Sequence, residues 1–319
     1  MCYSSKIEAE YRKYVNAFGA ELSLADYVRL FWERRTNTRI KIPKAMEAQF
    51  RDPQSDGERE IKAAIDEFTE AEKNRFEAEL FKQRKRLNDA NRVLESKATK
   101  AAQENQRIAA GKIAWASAKL ADLRRAELLE RDSRIFPGYY APVLVMQNGR
   151  LTVKPMRYQC RVAGKPSSYD VKFPGTYNAR RDNLEKFWKP LFGYSHGILA
   201  MSAFYENVDR HRVEGRELVP GEKAENVILE FKPNPPHTMY AACLWSHWTG
   251  NGEPALDSFA AITDEPPPEV AAAGHDRCII PIKRENVAAW LNPDPKNLAA
   301  LYAILDDRER PYYEHRLAA

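Results

Sequence analysis

Tyr139-Tyr140-Ala141-Pro142-Val143-Leu144-Val145-Met146-Gln147, followed by Asn148-Gly149 and then Leu151-Thr152-Val153, decides the fold class. Tyrosine and valine fit a pleated, half-buried surface. Asn-Gly is the dipeptide whose positive φ angles close a two-residue hairpin. Phe136-Pro137-Gly138, just upstream, is a turn signal. The same texture continues downstream, with strands predicted at 197–205, 227–231, 239–245, 259–263 and 278–282. Short helices are predicted at 187–191, 285–291 and 297–305. Strand follows strand without an intervening long helix, so the class is α+β, with a mostly antiparallel sheet that closes toward a barrel. No G-x-G-x-x-G or Walker sequence occurs, which argues against a nucleotide, and no cofactor or metal is expected.

Upstream, residues 6–35 read as helical. Ile7, Tyr11, Tyr14, Val15 and Phe18, then Leu24, Tyr27, Val28, Leu30 and Phe31, recur at three- and four-residue steps, and Ser23 is placed to cap the second run. Residues 58–133 contain no proline and one glycine, Gly111, and are dominated by good helix formers. As one helix this stretch would exceed ~110 Å at 1.5 Å per residue. A hairpin is therefore expected, broken near Asn88-Asp89-Ala90-Asn91 or at Gly111. Leu80, Leu87, Leu94, Ala101, Ile108 and Trp115 fall seven apart, but the companion positions Gln83, Ala90, Lys97, Glu104 and Gly111 lack the bulk of a leucine seam. The plain expectation is a solvated arm. The sharper one is contact with a partner or with DNA through Lys82, Arg84, Lys85, Arg86 and Arg92.

The chain has 319 residues, 44% of them apolar, and a formal net charge of +5, which favours an anionic partner. Its four cysteines, Cys2, Cys160, Cys243 and Cys278, are too scattered for a C-x-x-C site or a disulfide scaffold. No secretory pattern and no membrane-length apolar run is found, so a reducing cytoplasm is expected and no membrane partner.

Four places carry candidate chemistry. Met1-Cys2 would expose, once Met1 is removed, an α-amine and a thiol on one residue. The amine can condense with an aldehyde, and the thiolate can close onto the resulting imine as a thiazolidine. With reference pKa values near 7.7–8.0 and 8.5, both supply reactive free base at neutral pH. In Thr176-Tyr177-Asn178-Ala179-Arg180-Arg181, the amide can orient a substrate oxygen and the arginines suit a phosphate. Glu206 ends the apolar run 197–206 and is a candidate general acid/base. His275, in Gly274-His275-Asp276-Arg277, is a candidate proton shuttle.

The order Met1-Cys2, Asn178-Ala179-Arg180, Phe204-Tyr205-Glu206, His275-Asp276-Arg277 resembles the SRAP family, the SOS response-associated peptidase or abasic-site processing proteins. Residues 136–145, Ala241-Ala242-Cys243-Leu244-Trp245 and Phe259-Ala260-Ala261-Ile262-Thr263 are similar to further family stretches. The resemblance implies a catalytic domain of 1–45 and 135–319, with 46–134 inserted as a helical arm. It implies a protein that loses Met1 and crosslinks Cys2 to abasic sites in single-stranded DNA, shielding the lesion in the SOS response. It further implies that Asn178 positions the amine or sugar, Glu206 is the acid/base and His275 helps open the sugar. Arg180, Arg181 and Arg277 become DNA contacts. A nucleoid-associated cytoplasmic monomer follows, with the arm available to a protein partner.

Several positions depart from the family pattern. Tyr3-Ser4 stands where Gly-Arg is usual, Ala203 and Asn207 flank the glutamate motif, and Arg277-Cys278-Ile279 replaces Arg-Met-Pro. Arg157-Tyr158-Gln159-Cys160 stands where a Trp-Gly-Leu segment lines the DNA channel. Two other readings stay open. One is a cysteine peptidase or N-terminal-nucleophile hydrolase that includes self-removal of Met1. The other is a non-catalytic DNA- or partner-binding module.

Overall fold

The structure, a computed structural model, describes residues 3–250 and 252–318. The chain enters as strand β1 (Ser4–Ile7), then forms helix α1 (Tyr11–Phe18), β2 (Glu21–Leu22), α2 (Leu24–Thr36) and the single turn α3 (Lys44–Glu47). Two long helices follow, α4 (Asp56–Ser96) and α5 (Lys100–Arg124). The strands β3 (Arg134–Ile135), β4 (Tyr140–Gln147) and β5 (Arg150–Tyr158) lead to a short helix α6 (Tyr169–Lys172) and β6 (Asn178–Arg180). After β7 (His196–Asp209) come α7 (Arg210–Val213), β8 (Asn226–Asn234), β9 (Met239–Gly250) and β10 (Glu253–Asp264). The chain closes with α8 (Pro268–Ala272), β11 (Cys278–Ile279), α9 (Val287–Leu291), α10 (Leu298–Asp306) and β12 (Tyr312–Leu317).

Five strands close a barrel in the order β5–β4–β7–β9–β10 and back to β5. Every junction is antiparallel except the β10–β5 closure, which is parallel. Asn148 and Gly149 close the β4–β5 hairpin with φ of 50° and 76°, as Asn-Gly predicts. Small residues let the walls come close. A Cβ on Gly197 would stand 2.9 Å from Val143 Cγ1. Ala200, Ala203, Ala241, Ala242, Ala260 and Ala261 are buried beside larger Val143, Val153, Ile198 and Phe259. One end is plugged by α9, whose buried Trp290 donates its indole N–H to Gly197 O at 3.1 Å.

Several expectations are corrected. Residues 6–7, expected to begin the helical stretch, belong instead to strand β1, because Ser4 to Ile7 fill a gap between β3 and β7 in the sheet. Gly19, with φ of 62°, ends α1 before α2 begins. The Ser23 hydroxyl sits at the cap position of α2 but bonds the Asp26 carboxylate, not a backbone N–H. Residues 187–191, expected helical, are consecutive turns closed by three-residue bonds such as Leu191 N–H to Trp188 O at 2.8 Å.

The hairpin exists, but both expected breaks are wrong. α4 runs unbroken through 88–91 and α5 through Gly111, and the chain reverses at Lys97-Ala98-Thr99. Thr99 caps α5 by accepting the Ala102 N–H at 3.2 Å, while Lys97 ends α4 in extended backbone. The buried seam takes Gln83 and Ala90 from the companion positions, but leaves Lys97, Glu104 and Gly111 outside it. Phe76, Gln83 and Ala90 on α4 face Ala102, Ala109 and Ala116 on α5, while Ala101 and Trp115 are exposed. Two heptad rows dominated by alanine bring two helices close without leucine bulk. The root of α4 is tied down where buried Glu58 accepts from the Tyr11 hydroxyl and from Gln54 N–H. Among the described residues no helix is long and apolar enough to cross a membrane.

Candidate functional site

Glu206 lies on β7 between two neighbours. The β1 pairing sets Ser4 against Tyr205, and the β8 pairing sets Glu206 against Leu229. Glu206 is fully buried. His275 arrives by a different route. Pro266-Pro267-Pro268 stops β10 from continuing and opens α8. Gly274, at φ 94°, then reverses the chain in a conformation that strains any residue with a Cβ.

The reversal brings His275 Nε2 to 3.1 Å from Glu206 Oε2. Its Nδ1 lies 2.9 Å from the Arg277 carbonyl oxygen, which only accepts, so Nδ1 carries the hydrogen. A proton on either Nε2 or the Glu206 carboxyl therefore lies within reach of the other group. Burial pushes the imidazole below its ordinary value, which favours the neutral ring. Two buried groups this close can deliver a proton or take one back, which is what general acid/base work requires.

Asn178 opens β6, in parallel register with Ala261 of β10. It is buried, and neither atom of its amide has a hydrogen-bond partner among the described residues. Leaving a buried polar group unpaired costs about 1–3 kcal/mol, so this amide is available to a substrate. Tyr177 beside it packs edge-on to Tyr3 at 6.3 Å. Arg180, Arg181 and Arg277 line one cleft of about 210 Å³, which joins the asparagine and histidine motifs. The cleft is not a purely cationic clamp, because Asp182, Asp264, Glu265 and Asp276 line it too. Arg180 is exposed and forked onto Asp182 at 2.6 and 2.8 Å. Arg181 bridges Asp264 at 3.1 Å and Asp306 at 2.6 Å, and so ties α10 to the barrel. Arg277 lies 3.6 Å from Asp276.

Cys2 lies outside the described residues, but the strand it precedes does not. Tyr3, 40% exposed, packs edge-on to Phe136 at 5.8 Å. Ser4 accepts from Arg134 Nε at 3.0 Å. That arginine is a contributor the sequence reading missed. Its guanidinium lies over Tyr205 at 3.8 Å and over Phe136 at 4.9 Å, fastening the start of β1 against the glutamate motif. The available signal was an arginine directly before the apolar run beginning at Ile135. The other three cysteines are buried thiols. Burial pushes Cys160 up to about 12 and raises Cys243 and Cys278 as well, which makes all three inert. Tyr158, in the segment expected to line a DNA channel, is instead buried and stacked on Phe259 at 5.2 Å. Among the described residues no group of three His, Cys, Asp or Glu side chains could hold a metal.

A family model described as SOS response associated peptidase (SRAP) matches residues 93–316. No curated protein matches. A solved protein from Bordetella bronchiseptica is similar at 18% identity and a TM-score of 0.46, over 61% of this chain and 90% of that one. A protein from Bacteroides thetaiotaomicron is similar at 14% identity and 0.43, over 58% and 77%. A phage-related protein from Bordetella bronchiseptica is similar at 16% and 0.43, over 58% and 80%.

Proposed function

The chain belongs to the SOS response associated peptidase (SRAP) family, whose members are associated with DNA damage and abasic sites, and on that premise we propose that it is an abasic-site sensor. In this reading residues 1–45 and 135–319 form the catalytic unit and 46–134 the inserted arm. Met1 is removed, and the Cys2 α-amine adds to the aldehyde carbon of the ring-opened abasic sugar. Water leaves to give the imine. The Cys2 sulfur then bonds to the imine carbon while the thiol proton passes to nitrogen, closing the thiazolidine. No oxidant or reductant is consumed.

The observation that carries the reading is the buried Glu206–His275 contact of 3.1 Å beside the start of β1. Imine formation needs a proton delivered to the departing hydroxyl, and Glu206 is the group to deliver it. Ring opening needs a proton moved from the anomeric hydroxyl to the ring oxygen. A His275 held neutral by burial can take the proton from the hydroxyl while a protonated Glu206 gives one to the ring oxygen. Asn178 orients the sugar or the amine. Arg180 exchanges its exposed partner Asp182 for a phosphate.

The family's description as a peptidase supports a second use of the same pair, hydrolysis of the Met1–Cys2 bond. Incubation with single-stranded DNA carrying an abasic site tests the reading. A heat-stable protein–DNA adduct is expected. Turnover of peptide substrates without an adduct would replace the sensor with a peptidase.

A further inference from the structure

The helical hairpin divides its charge. Its root, residues 56–81 and 108–124, has seven Lys/Arg against ten Asp/Glu, a net of −3. Six of those seven cations are neutralised in place. Arg59 pairs with Asp56, Lys62 with Asp66, Lys73 with Glu70, Arg75 with Glu72, Lys112 with Glu79 and Arg124 with Glu77. The far end, residues 82–107, has eight Lys/Arg against three Asp/Glu. Its net of +5 equals that of the whole chain. Here one cation, Arg107, has a carboxylate partner, Glu104. Lys82, Arg84, Lys85, Arg86, Arg92, Lys97 and Lys100 form no ion pair among the described residues. A solvated helical face normally balances itself with partners three or four residues away or on the neighbouring helix, as the root does. The tip leaves its charge unspent.

The unspent charge has a shape. Lys82, Lys85 and Arg86 line a groove of about 430 Å³, whose lining includes the buried Ala90 and Ala102 and one acid, Asp89. Arg86 is held in position by Asn105 Oδ1 at 2.6 and 3.0 Å. Arg92 extends the cationic face about two turns beyond Lys85, since positions 82, 85 and 92 lie on one side of a 3.6-residue helix. Phe81 is 76% exposed one turn before Lys85. A phenyl ring in water beside a row of unpaired cations is what a single-stranded polynucleotide requires, with phosphates on the cations and an unpaired base on the ring. An acidic protein surface would use the cations but not the ring. Duplex DNA keeps its bases stacked.

We infer that the hairpin tip is a second DNA-binding surface, which holds the phosphate backbone and one unpaired base of the single strand flanking the lesion. The choice of DNA as the polymer rests on the proposed function; the polyanion surface itself rests on the tip alone. With the barrel site at one place and the tip at the end of a helix of roughly 60 Å, the strand would be gripped twice.

The test is salt-dependent binding of the full-length protein to an undamaged single-stranded oligonucleotide. The comparison variants are Lys82→Gln/Lys85→Gln/Arg86→Gln/Arg92→Gln and Phe81→Ala. Each single-strand phosphate contact contributes about 0.7 to the slope of log K against log salt. The quadruple variant should therefore lose about 2–3 from the slope, with helicity unchanged by circular dichroism. Phe81→Ala should weaken binding about five-fold or more with the slope unchanged. An unchanged slope in the quadruple variant overturns the inference. Equal competition by polyglutamate overturns it too. Adduct formation on an abasic oligonucleotide too short to reach the tip should be the same for all proteins. If no protein forms an adduct while the slope still drops, the tip stands and the sensor reading falls.

Discussion

Glu206 and His275 stand 69 residues apart in sequence and meet in the interior, whereas Lys82, Lys85, Arg86 and Arg92 lie within eleven consecutive residues and face the solvent side. The first region removes two ionisable groups from water and sets them 3.1 Å apart. The second leaves its charges in water and gives them no carboxylate partner among the described residues. Burial shifts proton affinity and makes chemistry; exposure preserves charge and makes binding. On the reading proposed above, reaction and grip are separated, and the two regions should fail differently when altered.

The largest separation is expected in single-turnover adduct rates. Glu206→Gln should slow adduct formation about 10²–10⁴-fold, while the quadruple tip variant on a short substrate should match the wild type. His275→Ala should slow the reaction on a closed abasic sugar and much less on a free aldehyde. Equal impairment on both substrates would remove the ring-opening role from His275.

Acid should damage the barrel and not the hairpin. His196 is buried, accepts the Gly193 N–H at 2.9 Å through Nε2 and meets Trp290 O at 3.0 Å through Nδ1. Burial depresses its pKa to about 3, against about 6.5 when unfolded. Below pH ~6.5 the unfolded chain takes a proton that the folded one refuses. Stability is therefore full above that pH and falls as pH drops toward 3, and His275, shifted downward as well, adds to the fall. Urea midpoints at pH 7 and pH 5 should differ for the wild type and differ less for His196→Asn. The same pH gap in both proteins would contradict this assignment.

The alanine seam should resist enlargement. Ala109 is completely buried between α4 and α5. Ala109→Leu should cost about 1–3 kcal/mol by overpacking and leave adduct rates near wild type, as read by thermal unfolding beside the kinetic assay. A slower reaction with an intact barrel would tie the hairpin to the chemistry.

The smallest effect belongs to Arg180→Ala, because its exposed pairing with Asp182 already spends part of its charge. The salt slope should drop by at most ~0.7. No change at all would make Arg180 a surface partner of Asp182 and nothing more.

These two regions were also legible to different degrees. The Asn148-Gly149 hairpin and the strand run from β7 to β10 could be read because turn chemistry and β-branched runs are local signals. Strand β1 could not, because Ser4–Ile7 becomes a strand only through its neighbours β3 and β7. The hairpin's existence followed from helix propensity, but its turn did not. Lys97-Ala98-Thr99 contains neither glycine nor proline, and an alanine heptad carries little hydrophobic contrast. At the site, residue order suggested Asn178, Glu206 and His275 together, yet only the fold supplies the 3.1 Å contact between the last two. It also supplies Arg134, whose grip on Ser4 spans 130 positions of sequence. The arginines were read as phosphate ligands from type alone; their partners Asp182, Asp264 and Asp306 come from three separate elements or their edges.

If chemistry begins at Cys2, intact mass followed by fragmentation of the DNA adduct will show it. The expected result is a mature chain lacking Met1 and a crosslink mapped to residue 2. Cys2→Ala should form no stable adduct while keeping the wild-type fold. A homogeneous protein that retains Met1, or an adduct that persists in Cys2→Ala without reductant, would contradict it.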